Sequence, residues 1–554
     1  VTKRKWMVGV LSTAMVTSIL SFPSISAAQV NHQGMNFSKP VQTLPMIEQL
    51  KQQYALQQKW LKGKGVQPKD ITKVTVKEAN LKGKVDSYHT YQYHLAVEKA
   101  GIVQINSKKT DAKVRYMLVH TEDFQEYKSG DRIPAGEYFL MVAYDLEKYP
   151  PSENDVSYDL KISGVSMSSV DNTVPEIRTT TPAKHELRVS PETKTFQIKG
   201  SVKGADRIDV SVNDSTFGLA GFTYSEAWPL KAGDNSYGLT ALEMSGNMAS
   251  ESFQVVKPDM ERFTGANPAT ISAQISKKQF PTGANTIIIT NAQFSAEALT
   301  GNGLSMFHDA PILLTGTKKL PPVVRTEIQR LEPSKAIILG GTKVVSVDVE
   351  KQLKKMGLKT ERRTGDNPFA SSAQMAEEMI KVSDGETVVV IEGSDFSSAM
   401  YASTTYLPVL LVEKNQVPTE TEAFFKKHPE IKNLIVVGEK GHLTSQVKKQ
   451  LQSYGKVKEV TGASHFEVGV NLIRHFSTEY QMTPREFTVV KDQDFATALV
   501  SSKLRSPILF TPSDSLNATV NRFLDQNKPT VLRLLGGTKL ISVQVEKQLK
   551  EKLK

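Results

Sequence analysis

From Asp259 to the end of the sequence the chain repeats itself three times, and this repeat constrains the fold more than any other feature. Thr264-Gly265-Ala266-Asn267-Pro268 recurs as Thr364-Gly365-Asp366-Asn367-Pro368 and, altered, as Thr461-Gly462-Ala463-Ser464-His465. Phe294, Phe396 and Phe495 each follow an apolar strand. Pro311-Ile312-Leu313-Leu314, Pro408-Val409-Leu410-Leu411 and Pro507-Ile508-Leu509-Phe510 each follow a helical stretch. Gly340, Gly438 and Gly536 then stand 98 and 98 residues apart. Solenoid repeats run to about 20–50 residues, so each unit here is a small domain in its own right. Its short, continuously apolar strands joined by amphipathic helices call for parallel β-structure buried on both faces. The expectation is three tandem α/β modules, doubly wound and Rossmann-like, over residues 259–360, 361–458 and 459–554, with right-handed crossovers.

Upstream the pattern changes to period-two alternation. Ile102-Val103-Gln104-Ile105, Arg115 to Val119 and Tyr138 to Val142 read as short strands of a β-sandwich over residues 84–166. The run Pro134 to Val142, followed by Tyr158-Asp159-Leu160-Lys161-Ile162, resembles the bacterial pre-peptidase C-terminal domain. Thr179-Thr180-Thr181-Pro182 reads as a linker. Beyond it, Phe196 to Gly200 and Ile208 to Val212 alternate again, and the ending Ala241 to Ala249 is similar to a bacterial immunoglobulin-like module over residues 185–257. Such modules commonly serve as spacers. Residues 29–83 read as a helical and linker segment, with Met46, Leu50, Tyr54, Leu56, Trp60 and Leu61 near helical spacing.

Residues 1–28 carry Lys3, Arg4 and Lys5 ahead of the apolar run Trp6 to Leu20, then Ser26-Ala27-Ala28. That order is expected of a secretory signal peptide, with a lone membrane anchor as the other reading; the apolar run falls short of the roughly 20 residues a spanning helix needs. The 554 residues include no cysteine, which excludes disulfides, thiolate metal sites and thiol nucleophiles. The net charge is +11 and points to an acidic partner. The excess is uneven: residues 259–360 hold 13 basic and 8 acidic side chains, residues 361–458 hold 12 and 13, and residues 459–554 hold 13 and 10. The expected attraction therefore lies in the first and third repeats.

The order of Arg, Thr-Gly, helix, apolar strand, Phe turn, Pro-Ile-Leu-Leu strand and Gly-Gly strand end resembles the cell wall-binding repeat 2 family over residues 259–554. The resemblance implies an exported protein held non-covalently on a Gram-positive wall, with an anionic wall polymer as partner, teichoic-acid-like or a secondary polysaccharide. It also implies three modules packed about a pseudo-threefold axis. The family's Asp-Arg-Tyr after the Thr-Gly pair is replaced here by Asn267-Pro268, Asn367-Pro368 and Ser464-His465. Its Asp-Ala-Leu becomes Glu297-Ala298-Leu299, Ser398-Ala399-Met400 and Thr497-Ala498-Leu499.

Within the repeats, Arg262, Arg362 and Arg363 precede the Thr-Gly pairs and are candidates to grip phosphate or carboxylate, or else to form internal salt bridges. Gly340-Gly341-Thr342-Lys343 and Gly536-Gly537-Thr538-Lys539 could cradle phosphate at a helix N-terminus, with Lys343 and Lys539 adding charge, or be tight strand-to-helix turns. The middle copy, Gly438-Glu439-Lys440-Gly441, puts an acid there. No nucleotide fingerprint, HExxH pair or G-x-S-x-G elbow is present, and Glu377-Glu378, Asp492 and Asp494 read as surface carboxylates. The sequence thus predicts a non-catalytic wall-binding protein without metal or cofactor and without a nucleic-acid partner, its β-domains free to meet another protein. An accessory role beside a secreted peptidase or wall hydrolase is the alternative.

Overall fold

A computed structural model describes residues 75–554 apart from 147, 169–170, 214, 220, 292–303, 306, 382, 384, 406 and 480–483. The expected signal peptide, the helix near 46–61, Phe294 and Glu297 to Leu299 lie outside the described residues. The chain divides between Lys257 and Pro258 into two compact units.

The first unit is antiparallel β-structure. Its opening strand, Thr75–Val85, buries Ala79, Leu81 and Val85 on one face and pairs with Val156–Ser168 from Val85 opposite Val156 onward. The expected boundary at residues 83 and 84 is therefore corrected: it cuts a strand, because the Lys-rich outer face hides the inward alternation. Tyr93, Leu140 and Leu160 share the first core. The second core joins Phe196 and Ile198 of Thr195–Lys203 to Val210, Tyr237 and Phe253 of the facing sheet. Of the expected linker Thr179 to Pro182, Thr179 to Thr181 instead end an edge strand, Glu176–Thr181, on Thr195–Lys203, their short polar side chains being compatible with an exposed edge. The two β-regions keep separate cores but are joined through one sheet. Met248–Lys257 of the second pairs with His89–Lys99 of the first, so one sheet of 12 strands runs through both.

The second unit holds three parallel four-stranded sheets of identical order, and it bears out the expected α/β class. In the first module a lead strand, Thr286–Asn291, lies between an edge strand, Ile312–Thr315, and a glycine strand, Lys335–Leu339, with a closing strand, Lys359–Arg363, beyond. The second module repeats this with Thr387–Glu392, Val409–Val412, Asn433–Glu439 and Lys456–Gly462. The third uses Glu486–Lys491, Ile508–Thr511 and Val531–Leu535, and its closing strand is Asp259–Phe263. Sequence period and structural module are thus offset by one strand. Each expected repeat opens with a strand that completes the sheet of another module, and the first strand of the unit closes the sheet of the last.

The strands are apolar because helices cover both faces: Ile287, Ile288 and Ile289, or Val388, Val389 and Val390, have no exposed surface. The helices after the closing strands are Pro268–Gln279, Pro368–Met379 and His465–Glu479. The repeated Asn-Pro starts the first two: Asn267 accepts from Thr270 N–H and Asn367 from Ala370 N–H, with Pro at the first helical position. In the third, Ser464 Oγ receives Glu467 N–H at 3.4 Å, and the Glu467 side chain reaches back to receive Ala463 N–H at 2.8 Å. Side chains of all three modules, among them Ile271, Met400 and Phe510, meet in one shared core.

Candidate functional site

The site expected from the repeats lies where the parallel strands end, the usual place for ligands in open α/β sheets. Here the first and third modules carry the Gly-Gly turns. Gly340 and Gly536 have φ of +100° and +120°, a left-handed conformation that side chains resist. A Cβ at Gly340 would also press within 2.9 Å of the Val344 side chain, and one at Gly536 within 2.8 Å of Leu540. The turn after Gly341 is closed by Val344 N–H and Val345 N–H donating to Gly341 O, and after Gly537 by Leu540 and Ile541 in the same way. The following helices, Val347–Lys355 and Val543–Lys552, begin only after Ser346 and Ser542. The Gly pairs therefore do not open directly onto a helix N-terminus, and the phosphate-cradle geometry is not formed. In the middle module Gly438 instead makes room for the His442 ring.

The arginines are committed inside the protein. Arg362 donates to Gly340 O at 2.7 Å, Val345 O at 2.9 Å and Glu350 at 3.0 Å. Arg262 makes the equivalent bonds in the third module, to Gly536 O at 2.7 Å and Glu546 at 2.8 Å. The second module keeps the pair with its charges exchanged, Lys448 Nζ lying 2.6 Å from Glu459. Arg363 pairs with Glu361 at 2.6 Å and Glu378 at 2.9 Å. Of the two readings open for Arg262, Arg362 and Arg363, the structure forms the internal salt bridge, because the closing strand lays each guanidinium against a helix carboxylate. The Lys354 ammonium and the Arg362 guanidinium together hold the Glu350 carboxyl down at about 2.

Lys343 and Lys539 stand differently. Both are exposed at the tips of the Gly-Gly turns, and neither is ion-paired among the described residues. Beside Lys343 lies the loop after the edge strand, with exposed Lys318 and Lys319, which sequence reasoning did not single out. The two loops are tied together: Asn291 Nδ2 donates to Thr317 Oγ1 at 2.7 Å and to Val344 O at 2.6 Å, and Ser346 N–H donates to Thr317 O at 2.8 Å. Three cations without an ion pair among the described residues thus sit on two braced loops of the first module. The corresponding loop of the second module carries Glu413 and Gln416, which with Glu420 and Asn367 line a cavity of about 260 Å³. The remaining carboxylates flagged in the sequence are accounted for. Glu377 pairs with Lys427 and His428, Glu378 with Arg363 and His308, and Asp492 with His465, while Asp494 caps the short helix Phe495–Leu499.

Comparison with known proteins locates this architecture. The chain is 24% identical over 297 residues to the N-acetylmuramoyl-L-alanine amidase LytC of Bacillus subtilis, covering 52% of this chain and 58% of that one. It is 26% identical over 335 residues to the Amidase enhancer of the same organism, covering 57% and 45%. It therefore spans about half the length of these curated relatives. Among solved structures, Cwp6 from Clostridium difficile shares the fold, with a TM-score of 0.50 at 18% identity over 68% of each chain. Residues 262–350 match the family model of Cell wall binding domain 2 (CWB2), and they lie in a unit of three modules with the same strand order.

Proposed function

We propose that this chain is an exported, non-catalytic protein of a Gram-positive envelope that holds an anionic wall polymer through its α/β modules. The CWB2 match supports wall binding. The polymer's negative charge is inferred from the cluster of Lys318, Lys319 and Lys343 on the tied loops of the first module, which is the observation that carries this reading. Lys539 supplies the weaker counterpart in the third module. In this reading Arg262, Arg362 and Arg363 brace the loops from behind, while the second module, with Glu413 and Glu420, contributes fold rather than charge. Exposed lysines on a polyanion are screened by salt, so retention falls as ionic strength rises.

The test is retention on isolated walls, intact and stripped of anionic polymer. Wild-type protein is expected to bind intact walls and be released by salt, and Lys318→Glu with Lys319→Glu and Lys343→Glu is expected to weaken binding at least ten-fold. Equal binding to stripped walls would overturn the polymer assignment. A second reading, an accessory to a wall amidase, is favoured by the similarity to the Amidase enhancer. It predicts that adding the chain to a purified wall amidase changes the rate at which wall is solubilised, whereas the chain alone releases nothing.

A further inference from the structure

We propose that the N-terminal β-unit binds one divalent transition-metal ion, zinc by its chemistry, through His89, His185 and Glu251. These are 96 and 66 residues apart in sequence, so no short ligand motif announces them, and the sequence led us to expect no metal. The sheet brings them together. Glu251 lies directly opposite His89 where Met248–Lys257 pairs with His89–Lys99. His185 arrives beside them because its carbonyl accepts Gln254 N–H at 2.7 Å, just ahead of Glu186–Arg188, which runs parallel to the same strand.

Both imidazoles turn Nε2 toward one carboxylate oxygen. His185 Nε2 is 2.9 Å and His89 Nε2 3.6 Å from Glu251 Oε1, and the donor atoms of the three residues lie within 4.8 Å of one another. Their orientations are set from outside. Asp86 Oδ1 faces His89 Nδ1 at 2.7 Å and is itself fixed by the N–H groups of Tyr88 and His89. Glu153 lies 3.8 Å from His185 Nδ1, and Thr179 Oγ1 donates to Glu251 Oε2 at 2.5 Å, so that Oε1 is the oxygen that meets the two histidines. The His185 ring stacks on Tyr88 at 4.5 Å and Phe253 at 5.2 Å. A carboxylate on the far nitrogen of a ligating histidine is the arrangement that points Nε2 at a metal.

With His89 Nδ1 held by Asp86, Nε2 is the nitrogen that faces Glu251, and a cation between them would take the place of a proton there. Glu251 is buried, its side chain 5% exposed, so the group that meets it must itself be compact and charged. Two imidazoles and one carboxylate suit zinc, whose N and O ligands lie at about 2.0–2.2 Å, and do not suit calcium or magnesium, which take oxygen. A bound water completes four-coordination on the side where the histidines are 18–20% exposed. In a chain without cysteine the ion would cross-link the first β-region, at His89, to the second, at His185 and Glu251.

The experiment uses the full, tag-free chain stripped of metal by chelator. Zinc titration is expected to show one equivalent bound and a rise in thermal midpoint that chelator reverses, and cobalt substitution to give the visible absorption of a four-coordinate ion. His185→Gln and Glu251→Gln are expected to lower zinc affinity at least a hundred-fold, and Asp86→Asn about 10–100-fold. His475→Gln leaves it unchanged. Failure of the wild-type chain to bind zinc, or binding that persists in His185→Gln and Glu251→Gln, overturns the proposal. Should those variants not fold, absence of the four-coordinate cobalt spectrum in the wild-type chain overturns it alone.

Discussion

Leu314 and Leu411 occupy the same position in the first two edge strands, and the N–H of each donates at 3.2 Å to a buried serine, Ser272 and Ser372, on the neighbouring helix. The third module has Gly469 at the serine position, and the Tyr401 ring from the second module fills the space the missing side chain leaves. Tyr401 is hydrogen-bonded to the backbone of Phe510, the equivalent of the two leucines, and burial pushes its hydroxyl well above the ordinary tyrosine range. One hydroxyl has thus been replaced by another from a different module, because a buried N–H must find an acceptor wherever one can be supplied. Tyr401→Phe strands the Phe510 N–H and is expected to cost about 1–3 kcal/mol in denaturant unfolding. Tyr401→Ala costs more, and adding Gly469→Ser to it recovers part of the loss by rebuilding the arrangement of the first two modules. A second residue effect follows from Glu350, whose folded-state value of about 2 lies below its ordinary 4.5. A depressed carboxyl contributes stability in full above its unfolded value and loses it as pH falls from there through about 2. Glu350→Gln is expected to flatten that part of the stability profile, read as urea midpoints across the window.

At the scale of elements, the modules are joined by contacts that each repeat makes differently. Lys503, in the 3₁₀ turn Val500–Leu504, is 5% exposed, and its ammonium reaches Asp309 of the first module at 2.7 Å while lying 5.4 Å from the Phe280 ring centre. Burial pulls its affinity for a proton down, and Asp309 works against that shift. Removing one partner of such a pair leaves a buried charge unsatisfied, whereas replacing the lysine by an apolar chain of similar length removes the charge with it. Asp309→Ala is expected to lower the thermal midpoint more than Lys503→Met does, the two being compared by calorimetry. The aromatic contact between Phe396 and Phe495, with ring centres 5.9 Å apart, joins the second and third modules at the positions the repeat had marked. The apolar strands and the Gly-Gly turns were legible because each is decided within a few residues, whereas the Asn-Pro pairs, noted only as departures from a family pattern, proved to be helix caps. Arg262 and Arg362 were not, since the same Arg-before-Thr-Gly pattern serves an internal carboxylate as well as an external anion. The partner that decides between them, Glu546 for Arg262, sits 284 residues away.

At the scale of the molecule, the α/β unit is closed on itself by Asp259–Phe263, which pairs in parallel with Val531–Leu535. Deleting Asp259–Phe263 exposes that strand as an open edge and removes Arg262 from Gly536 and Glu546, so the third module is expected to lose stability first. Differential hydrogen exchange would show this as earlier opening of residues 484–554 than of 268–363, and equal protection of both would contradict it. The sequence by itself determined the class and order of the elements: period-two alternation before Lys257, apolar runs alternating with helices after it, and the 98-residue repeat. It also placed the basic excess in the first and third modules, because charge is a sum over residues and needs no coordinates. Only the tertiary structure decided which strand completes which sheet, that the two β-regions share one sheet, and which cations are spent on internal carboxylates. It alone brought His89, His185 and Glu251 together. The physical reason is the same in each case: strand pairing and ion pairing join residues far apart along the chain, and their choice depends on which surfaces remain to be covered once the local elements have formed.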